Sequence, residues 1–321
     1  MTAVEPRPVA GLATLTVDVD TLANMLTRDG RLSDDALPVR RFTYEVLLPR
    51  LLDLFASFGV RATFFLVGRD ALDSQNRMVI RRLSEAGHEV ANHTLNHHTN
   101  FCQLQTEAQE REIVESQHQL EDAIGQPIVG FRAPAYSIHT ETFGILAHHG
   151  YQYDSSVNVS VPLYAVKSAV LALRPHARKH LRLPSASFLT APRAPYYPSF
   201  RQPWKAGSQR TLLEIPISCV PWLGIPLVGW MLLSGPRAFA ARCCAWARTT
   251  SRTAVNFALH DYDVLSEADP YYPLAREIHT VSLATRRPFR ERMRMIEDCL
   301  RALQVHRTFT PLNEVARARA A

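Results

Sequence analysis

The amino-acid sequence predicts an α/β fold in which a parallel sheet is either closed as a barrel or open and doubly wound. Two observations favour this class. Short apolar runs alternate with longer stretches of helical periodicity along the 321 residues, and this alternation is typical of strand–helix units. The apolar runs also end on polar residues, and barrel enzymes place their chemistry at that end of the strands.

Seven apolar runs are the predicted strands, and they cover Leu12–Val19, Arg61–Val67, His88–Asn92, Ile128–Arg132, Tyr151–Ser155, Leu212–Pro216 and Ala254–His260. Helical periodicity predicts helices near residues 42–58, 74–86, 106–124, 139–149, 236–250 and 288–304. Gly59 is the expected stop of the first helix, because glycine commonly follows the last helical turn.

The same pattern predicts the domain organisation. We expect an N-terminal tail at 1–10, one domain at 11–285, and a C-terminal helix and tail at 286–321. Residues 156–211 interrupt the alternation and are rich in Pro, Arg and Tyr. A loop of that length inserted in a domain is expected to be a functional lid or a mobile segment.

The apolar segment 216–233 contains 18 residues without a charge, together with three prolines and two glycines. A membrane-spanning helix needs about 20 helical residues, which this composition disfavours. Two interpretations are left open. The segment is either a buried loop or a peripheral, membrane-touching hairpin that carries Trp222 and Trp230.

Composition limits the environment and the partners. The net charge is +6, only three of the 36 cationic residues are lysines, and the arginines are scattered. We therefore expect no nucleic-acid partner, with a lean toward anionic substrates or a membrane surface. The odd number of cysteines, five, predicts reduced thiols, and the N-terminus lacks the features of a signal peptide. The expected location is the cytoplasm, including the inner face of the membrane.

The motif TVDVD at 16–20 follows the first predicted strand directly. Residues two apart on a strand point to the same face, so Asp18 and Asp20 are both able to face one pocket. Two carboxylates at such a short distance raise each other's pKa unless a cation lies beside them. The pair therefore indicates a cation site at a strand end.

The motif HEVANHTLNHH at 88–98 supplies candidate metal ligands. His93 and His97 are four residues apart, which predicts that both imidazoles lie on one side of a helical turn. His98, five residues from His93, is the alternative second ligand. Catalytic zinc takes three protein ligands and keeps one position for water. One carboxylate and two histidines complete such a set.

Two further strand ends carry polar groups. In GFRAPAYS at 130–137, Arg132 is suited to pair with a strand-end carboxylate and keep it ionised. Pro134 fixes the turn, so that the amide of Ala135 is a candidate donor to a developing oxyanion. The motif NFALHDYDV at 256–264 delivers His260 to the same end of the sheet.

In this order, the four motifs resemble the polysaccharide deacetylase (NodB-homology) family, carbohydrate esterase family 4. The resemblance covers roughly residues 10–265, including ATFFLVG at 62–68. The family's first motif usually has adjacent aspartates, whereas the Asp-x-Asp here resembles a variant branch that includes lipid-linked-sugar deformylases. The resemblance implies an irregular (β/α) barrel. It also implies that Asp18 is the general base, that a divalent metal, most often zinc, is bound by Asp20, His93 and His97, that Arg132 orients Asp18, and that His260 is the general acid.

One motif departs from the family pattern DSxDW. The corresponding YDSSVN at 153–158 has Val157 where the family has its later aspartate. In the family that later aspartate supports the catalytic histidine, so here either Asp154 or Asp263 assists His260, or the histidine has no such support.

The expected function is that of a metal-dependent hydrolase. Its substrate is an acylated amino sugar, from which it removes an acetyl or formyl group, in a polysaccharide, an oligosaccharide or a lipid-linked precursor. The alternatives are hydrolysis of another non-peptide C–N bond, as in a cyclic amide, and a non-catalytic sugar-binding protein of the same fold.

Overall fold

The structure of the protein, a computed structural model, describes residues 9–28, 30–32, 36–173 and 185–320. The strands of this part are β1 Leu12–Val19, β2 Thr63–Leu66, β3 Glu89–Asn92, β4 Gly130–Phe131, β5 Tyr153–Asp154, β6 Pro198–Ser199, β7 Gln202–Ala206, β8 Leu213–Glu214, β9 Val255–His260 and β10 Thr308–Phe309. The helices are α1 Leu22–Arg28, α2 Leu37–Phe42, α3 Leu48–Ser57, α4 Ser74–Glu85, α5 Thr106–Ile124, α6 Thr140–His148, α7 Val161–Leu173, α8 Gly229–Ser234, α9 Arg237–Thr250, α10 Tyr272–Ala275, α11 His279–Ala284, α12 Phe289–Gln304 and α13 Leu312–Ala320.

All the strands except β6 and β7 form one curled parallel sheet. Its order is β10-β1-β2-β3-β4-β5-β8, and β9 pairs with β1 along the edge opposite β2. All eight residues of β1 are buried, as expected for a strand covered on both faces. Helices pack around the sheet, and the predicted (β/α) barrel class is confirmed. Because every pair in this sheet is parallel, all strand ends that carry polar residues lie at one edge.

The apolar segment 216–233 contributes to the barrel wall between β8 and β9. The amide of Ser218 donates to the carbonyl of Asn256 at 3.1 Å, and the amide of Ala258 donates to the carbonyl of Leu227 at 2.9 Å. These main-chain bonds attach the segment to β9 without a regular ladder. The buried-loop interpretation therefore holds for most of the segment, and its lack of charge is a consequence of burial.

The tip of that segment is different. Trp222 is 90% exposed, at the end of a tight turn in which the amide of Val220 donates to the carbonyl of Ile225 at 2.7 Å. Trp230 is partly buried and packs against the core. The expectation that both tryptophans lie on one exposed hairpin is therefore wrong for Trp230. Within the described ranges, the helices are too short or too polar to cross a membrane.

The inserted region 156–211 contains regular structure that its composition did not predict. Helix α7 occupies its first part, and β6 and β7 pair as an antiparallel hairpin. Residues 174–184, which belong to the same predicted loop, lie outside the described residues. The expectation of a loop without regular structure is wrong for α7 and for the β6–β7 hairpin.

The C-terminal residues complete the sheet. Strand β10 pairs with β1 at Leu12 and Ala13, and the expected C-terminal helix of 286–321 is α12. Glu89 joins this end to the barrel, because its carboxylate accepts hydrogen bonds from the amide of Asn313 at 3.0 Å and from the hydroxyl of Thr63 at 2.7 Å.

Candidate active site

Asp18 lies near the carboxyl end of β1, buried at the floor of a cleft. One carboxylate oxygen accepts a hydrogen bond from the guanidinium of Arg132 at 2.5 Å. The other accepts a hydrogen bond from the hydroxyl of Tyr136 at 3.3 Å and lies 3.9 Å from Nε2 of His260. Two segments distant in sequence, residues 132–136 and the end of β9, therefore converge on the carboxylate of Asp18.

Arg132 is fully buried and held on every side. Its Nε and Nη2 donate to the carbonyl and the hydroxyl of Ser155, both at 2.9 Å, and its Nη1 also donates to the hydroxyl of Thr16 at 2.9 Å. The guanidinium lies 4.1 Å from the ring centroid of Phe65, which adds a cation–π contact. This enclosure fixes the guanidinium plane, and with it the orientation of Asp18.

Asp20, His93 and His97 form a compact triad beside Asp18. Nε2 of His97 lies 3.0 Å, and Nε2 of His93 3.4 Å, from the same oxygen of Asp20. One ligand atom from each of the three residues lies within 4.8 Å of the other two. Two imidazoles and one carboxylate at this spacing match the ligand set of a catalytic zinc site with an open position.

The predicted helical turn at His93–His97 is wrong. These residues form an irregular loop after β3, in which Thr94 and His97 adopt left-handed conformations with φ of 68° and 57°. The amide of Thr94 donates to the side chain of Asn92 at 2.8 Å, and the amide of His97 donates to the hydroxyl of Thr94 at 3.1 Å. These local side-chain bonds replace helical ones and turn both rings toward Asp20.

His98, the alternative ligand, points elsewhere. It is half exposed, and its Nε2 lies 3.5 Å from Glu112. The hydrogen bond with Glu112 raises the pKa of His98. The triad is therefore formed by His93 and His97.

The electrostatics of the triad suit a cation. Burial acts to raise the pKa of Asp20, but His97 and His93 outweigh it and hold that pKa well below its usual value. Burial lowers the pKa of His97, and Asp20 offsets only part of this effect. An ionised carboxylate and neutral imidazoles are the protonation states that metal binding requires.

His93 has a defined tautomer. Its Nδ1 lies 2.7 Å from the carbonyl oxygen of Arg132, and since a carbonyl only accepts, Nδ1 carries the hydrogen. In the neutral ring, Nε2 is then left with a free lone pair, directed toward Asp20.

His260 ends β9 opposite the triad, with its ring stacked on Tyr262 at a centroid distance of 4.8 Å. Its Nδ1 is buried without a hydrogen-bond partner among the described residues. Asp263 accepts a hydrogen bond from the main-chain amide of His260 at 2.9 Å, so it supports the backbone rather than the ring. Burial raises the pKa of Asp263 to about 6, although His260 acts against it.

Asp154, the other expected support, does not contact His260. One of its oxygens accepts a hydrogen bond from Ser156 at 2.6 Å. Its carboxyl group also pairs with that of Glu214, directly opposite on β8. Burial raises the pKa of both groups, which favours a shared proton between them.

Ala135 lines the cleft with a strained backbone. Its φ is 53°, and the next residue, Tyr136, has a φ of 57°. Left-handed conformations of residues other than glycine concentrate at functional sites. The carbonyl of Ala135 accepts a hydrogen bond from Nζ of Lys167 at 3.3 Å.

The cleft has a volume of about 690 Å³, including its open mouth. Sequence reasoning missed several residues of its walls, among them Arg28, Leu163, Lys167, Trp230 and Tyr262. Burial lowers the pKa of Lys167 to about 8. Thr16, which accepts a hydrogen bond from Arg132, was also missed, although it lies two residues before Asp18 and therefore on the same face of β1.

Comparisons with known proteins agree with this arrangement. Residues 34–153, which include His93, His97 and Arg132, match the family model described as polysaccharide deacetylase. A peptidoglycan deacetylase of Helicobacter pylori is 31% identical over 153 residues, which are 46% of this chain and 50% of that protein. A chitooligosaccharide deacetylase of Rhizobium leguminosarum is 36% identical over 94 residues, which are 29% of this chain and 40% of that protein. The chain thus spans half or less of the length of these curated relatives.

Two solved structures share the fold over almost the whole chain. A Mycobacterium smegmatis protein described as a polysaccharide deacetylase aligns with a TM-score of 0.64 at 19% identity, covering 98% of this chain and 92% of its own. A Pseudomonas aeruginosa protein with a similar description aligns with a TM-score of 0.60 at 14% identity, with the same coverage of 98% and 92%. At these identities the likeness shows the fold.

Fold and site together define an α/β barrel protein with a candidate metal centre at the carboxyl ends of its strands. Residues 34–153 match the polysaccharide deacetylase family model, and two relatives that match parts of the chain are named as deacetylases, which agrees with the family that the motifs resemble. The chain's membership of the Asp-x-Asp branch stays a prediction.

Proposed function

We propose that the protein is a metal-dependent hydrolase that removes an N-acyl group from an amino sugar. One observation carries the proposal: the metal-type triad, the Asp18–Arg132 pair and His260 surround the same cleft. Hydrolysis of an amide needs an activated water, a base and an acid within reach of one reacting carbon. The site offers residues for each of these tasks.

The residues Asp20, His93 and His97 would hold the metal, which when bound lowers the pKa of a water molecule and polarises an acyl carbonyl. Asp18 is the base that accepts the proton of the attacking water, and Arg132 holds this carboxylate in a fixed orientation. Asp18 is buried and already has two fixed hydrogen bonds. It needs little reorganisation before it accepts the proton.

The remaining steps fall to Ala135 and His260. The amide of Ala135 would donate to the oxyanion of the tetrahedral intermediate. His260 then donates a proton from Nε2 to the departing amine. Its Nε2 lies 3.9 Å from Asp18, so base and acid flank the same space.

Zinc is the proposed metal. Two imidazole nitrogens and one carboxylate oxygen suit zinc, although they also suit other first-row divalent ions. Metal analysis of protein purified without added metal, followed by reconstitution of chelated protein with single ions, tests this choice.

The proposed substrate class is an acetylated or formylated amino sugar within an oligosaccharide, polysaccharide or lipid-linked precursor. Relatives named as peptidoglycan and chitooligosaccharide deacetylases support the acetyl group and the amino sugar. Lys167 and Arg28 line the cleft and favour a sugar that also carries an anionic group.

The deciding experiment is release of acetate and formate from a panel of acylated amino sugars by purified protein with one equivalent of zinc. We expect release from at least one sugar, abolished by chelation and by Asp18→Asn. Ring opening of a cyclic amide, with no acyl release from any sugar, would transfer the proposal to the alternative substrate class. The proposed location, the cytoplasm or the inner face of the membrane, is tested separately by cell fractionation.

A further inference from the structure

Helix α7 has an exposed face that is entirely apolar. Its exposed residues are Val161, Ala165, Val166, Ala169, Ala172 and Leu173. Val161 and Val166 are 54% and 55% exposed, and Leu173 is 83% exposed. A helix on the surface of a soluble domain normally carries charged or polar residues on its outer face. This face therefore indicates a partner that is itself apolar.

The tip of the apolar segment extends the same surface. Trp222 is 90% exposed and Leu223 is 47% exposed. A Cβ atom added at Gly224 would lie 3.4 Å from Pro162 and 3.9 Å from the amide of Val161, so this turn lies against the first residues of α7. Five of the ten large hydrophobic residues found exposed in the described part of the chain belong to these two elements. Such clustering marks an interaction surface.

The stretch of sequence that contains α7 carries charges of one sign. Residues 155–213 contain no Asp or Glu and nine cationic residues, Lys167, Arg174, Arg178, Lys179, Arg182, Arg193, Arg201, Lys205 and Arg210. Among those that the structure describes, Arg193, Arg201, Lys205 and Arg210 are exposed. An apolar face in a stretch of chain whose charged residues are all cationic is complementary to an anionic membrane, because such a membrane offers hydrocarbon and negative headgroups together.

We propose that the exposed face of α7 and the Trp222–Leu223 tip bind the surface of an anionic lipid bilayer. Trp222 would lie at the headgroup level, where aromatic rings concentrate. The surface differs from the hairpin expected from the sequence, because α7 replaces Trp230 as the second contact. The interaction is peripheral, and it does not depend on catalysis.

The opposite side of α7 lines the cleft of the candidate active site. Leu163 and Lys167, on that side, line the cleft that contains Asp18 and Asp20. Bilayer contact would hold the mouth of the cleft close to the headgroups. If the proposed function is correct, the surface selects acylated sugars carried on a lipid.

Vesicle co-sedimentation of the full chain tests the proposal without any assay of activity. We expect binding to phosphatidylcholine vesicles that contain phosphatidylglycerol, and weaker binding to phosphatidylcholine alone. The double variant Trp222→Ser/Leu223→Ser should bind about tenfold less tightly, because a buried large side chain contributes on the order of one tenfold step in affinity. Both side chains are largely outside the core, so the variant should fold, which circular dichroism checks.

Matched controls are provided by Leu72→Ser and Trp246→Ser, which change residues that are 67% and 39% exposed on other elements. Both should bind as the parent does. No vesicle binding by the parent, or equal loss in the controls, would overturn the proposal. So would a parent dimer that the Trp222→Ser/Leu223→Ser change dissociates, since a second copy would then cover this face. Equal binding to soluble anionic polysaccharide and to vesicles would also count against a membrane.

Discussion

The Nδ1 atom of His93 donates a hydrogen bond to the main-chain carbonyl of Arg132 over 2.7 Å. The side chain of the same arginine donates to Asp18. One residue therefore positions a candidate metal ligand with its backbone and the candidate base with its guanidinium. The two functions are separable, because a substitution of the side chain leaves the carbonyl in place.

The variant Arg132→Lys tests this separation. A single ammonium group cannot reproduce the planar fork that contacts Thr16, Asp18 and Ser155 together. We expect kcat to fall by about 10²-fold or more, while metal content stays at one equivalent. Metal analysis and steady-state kinetics on the same preparation check both parts. Loss of metal together with activity would show that the guanidinium also maintains the triad.

The ligand assignment predicts that His93→Ala loses the metal and the activity together. His98→Ala is the matched control, because His98 lies in the same loop but faces Glu112. The control should retain about one metal ion per chain. Elemental analysis after dialysis distinguishes the two variants, and a reversed result would assign His98 to the site.

The role of Asp18 predicts a different pattern. Asp18→Asn keeps the shape but removes the base, so activity should fall by about 10²–10⁴-fold while the metal stays bound. Asp20→Asn should release the metal, since an amide is a poorer ligand than a carboxylate. If Asp18→Asn is the variant that releases metal, the roles of the two aspartates are exchanged.

Lys167 predicts a pH-dependent preference for anionic sugars. Its pKa of about 8 means that the cation is lost as the pH rises through that value. The KM for an anionic acylated sugar should therefore increase above pH 8, and the KM of Lys167→Met should be high at every pH. A neutral sugar serves as the control substrate. An unchanged KM in the variant would remove Lys167 from substrate binding.

The raised pKa of Glu89 predicts that the stability of the fold decreases as the pH rises. Burial raises its pKa from 4.5 to about 7, against the opposing hydrogen bond from Thr63. Between these two values the native state binds more protons than the unfolded chain, so the free energy of unfolding decreases with pH. The free energy of unfolding of Glu89→Gln should therefore rise relative to that of the parent by up to about 3 kcal/mol between pH 4.5 and 7.

Urea unfolding at several pH values measures this difference. The exposed Glu115 provides the control variant Glu115→Gln. Its free energy of unfolding should differ from that of the parent by a constant amount over the same pH range. A constant offset for Glu89→Gln as well would mean that Glu89 has a similar pKa in both states.

The sheet could be predicted from sequence largely because buried parallel strands are continuous apolar runs. Strand β1 has the predicted bounds of Leu12–Val19. Strands β4, β5 and β8 are shorter than predicted, with two residues each, because the apolar pattern continues past the paired residues. Helix α7 was missed because its outer face is as apolar as its inner face, so it lacks the periodicity on which a helix prediction depends.

The candidate site could be predicted by residue type but not by local conformation. His93 and His97 converge through a loop with left-handed residues, and an i, i+4 spacing does not distinguish such a loop from a helix. The partner of His260 was also beyond prediction. The structure pairs Asp154 with Glu214 on another strand, and Asp263 accepts a hydrogen bond from the main-chain amide of His260 rather than from its ring.

The two sides of the cleft come from different parts of the chain. Asp18 and the triad come from β1, the residues just after it and the loop after β3, whereas Leu163, Lys167 and Trp230 come from helices α7 and α8, between β5 and β9. Segments that connect strands tolerate insertion and exchange far better than strands whose register is fixed. An engineer could therefore graft this region from a relative to change which sugar is accepted, and leave the reaction itself untouched.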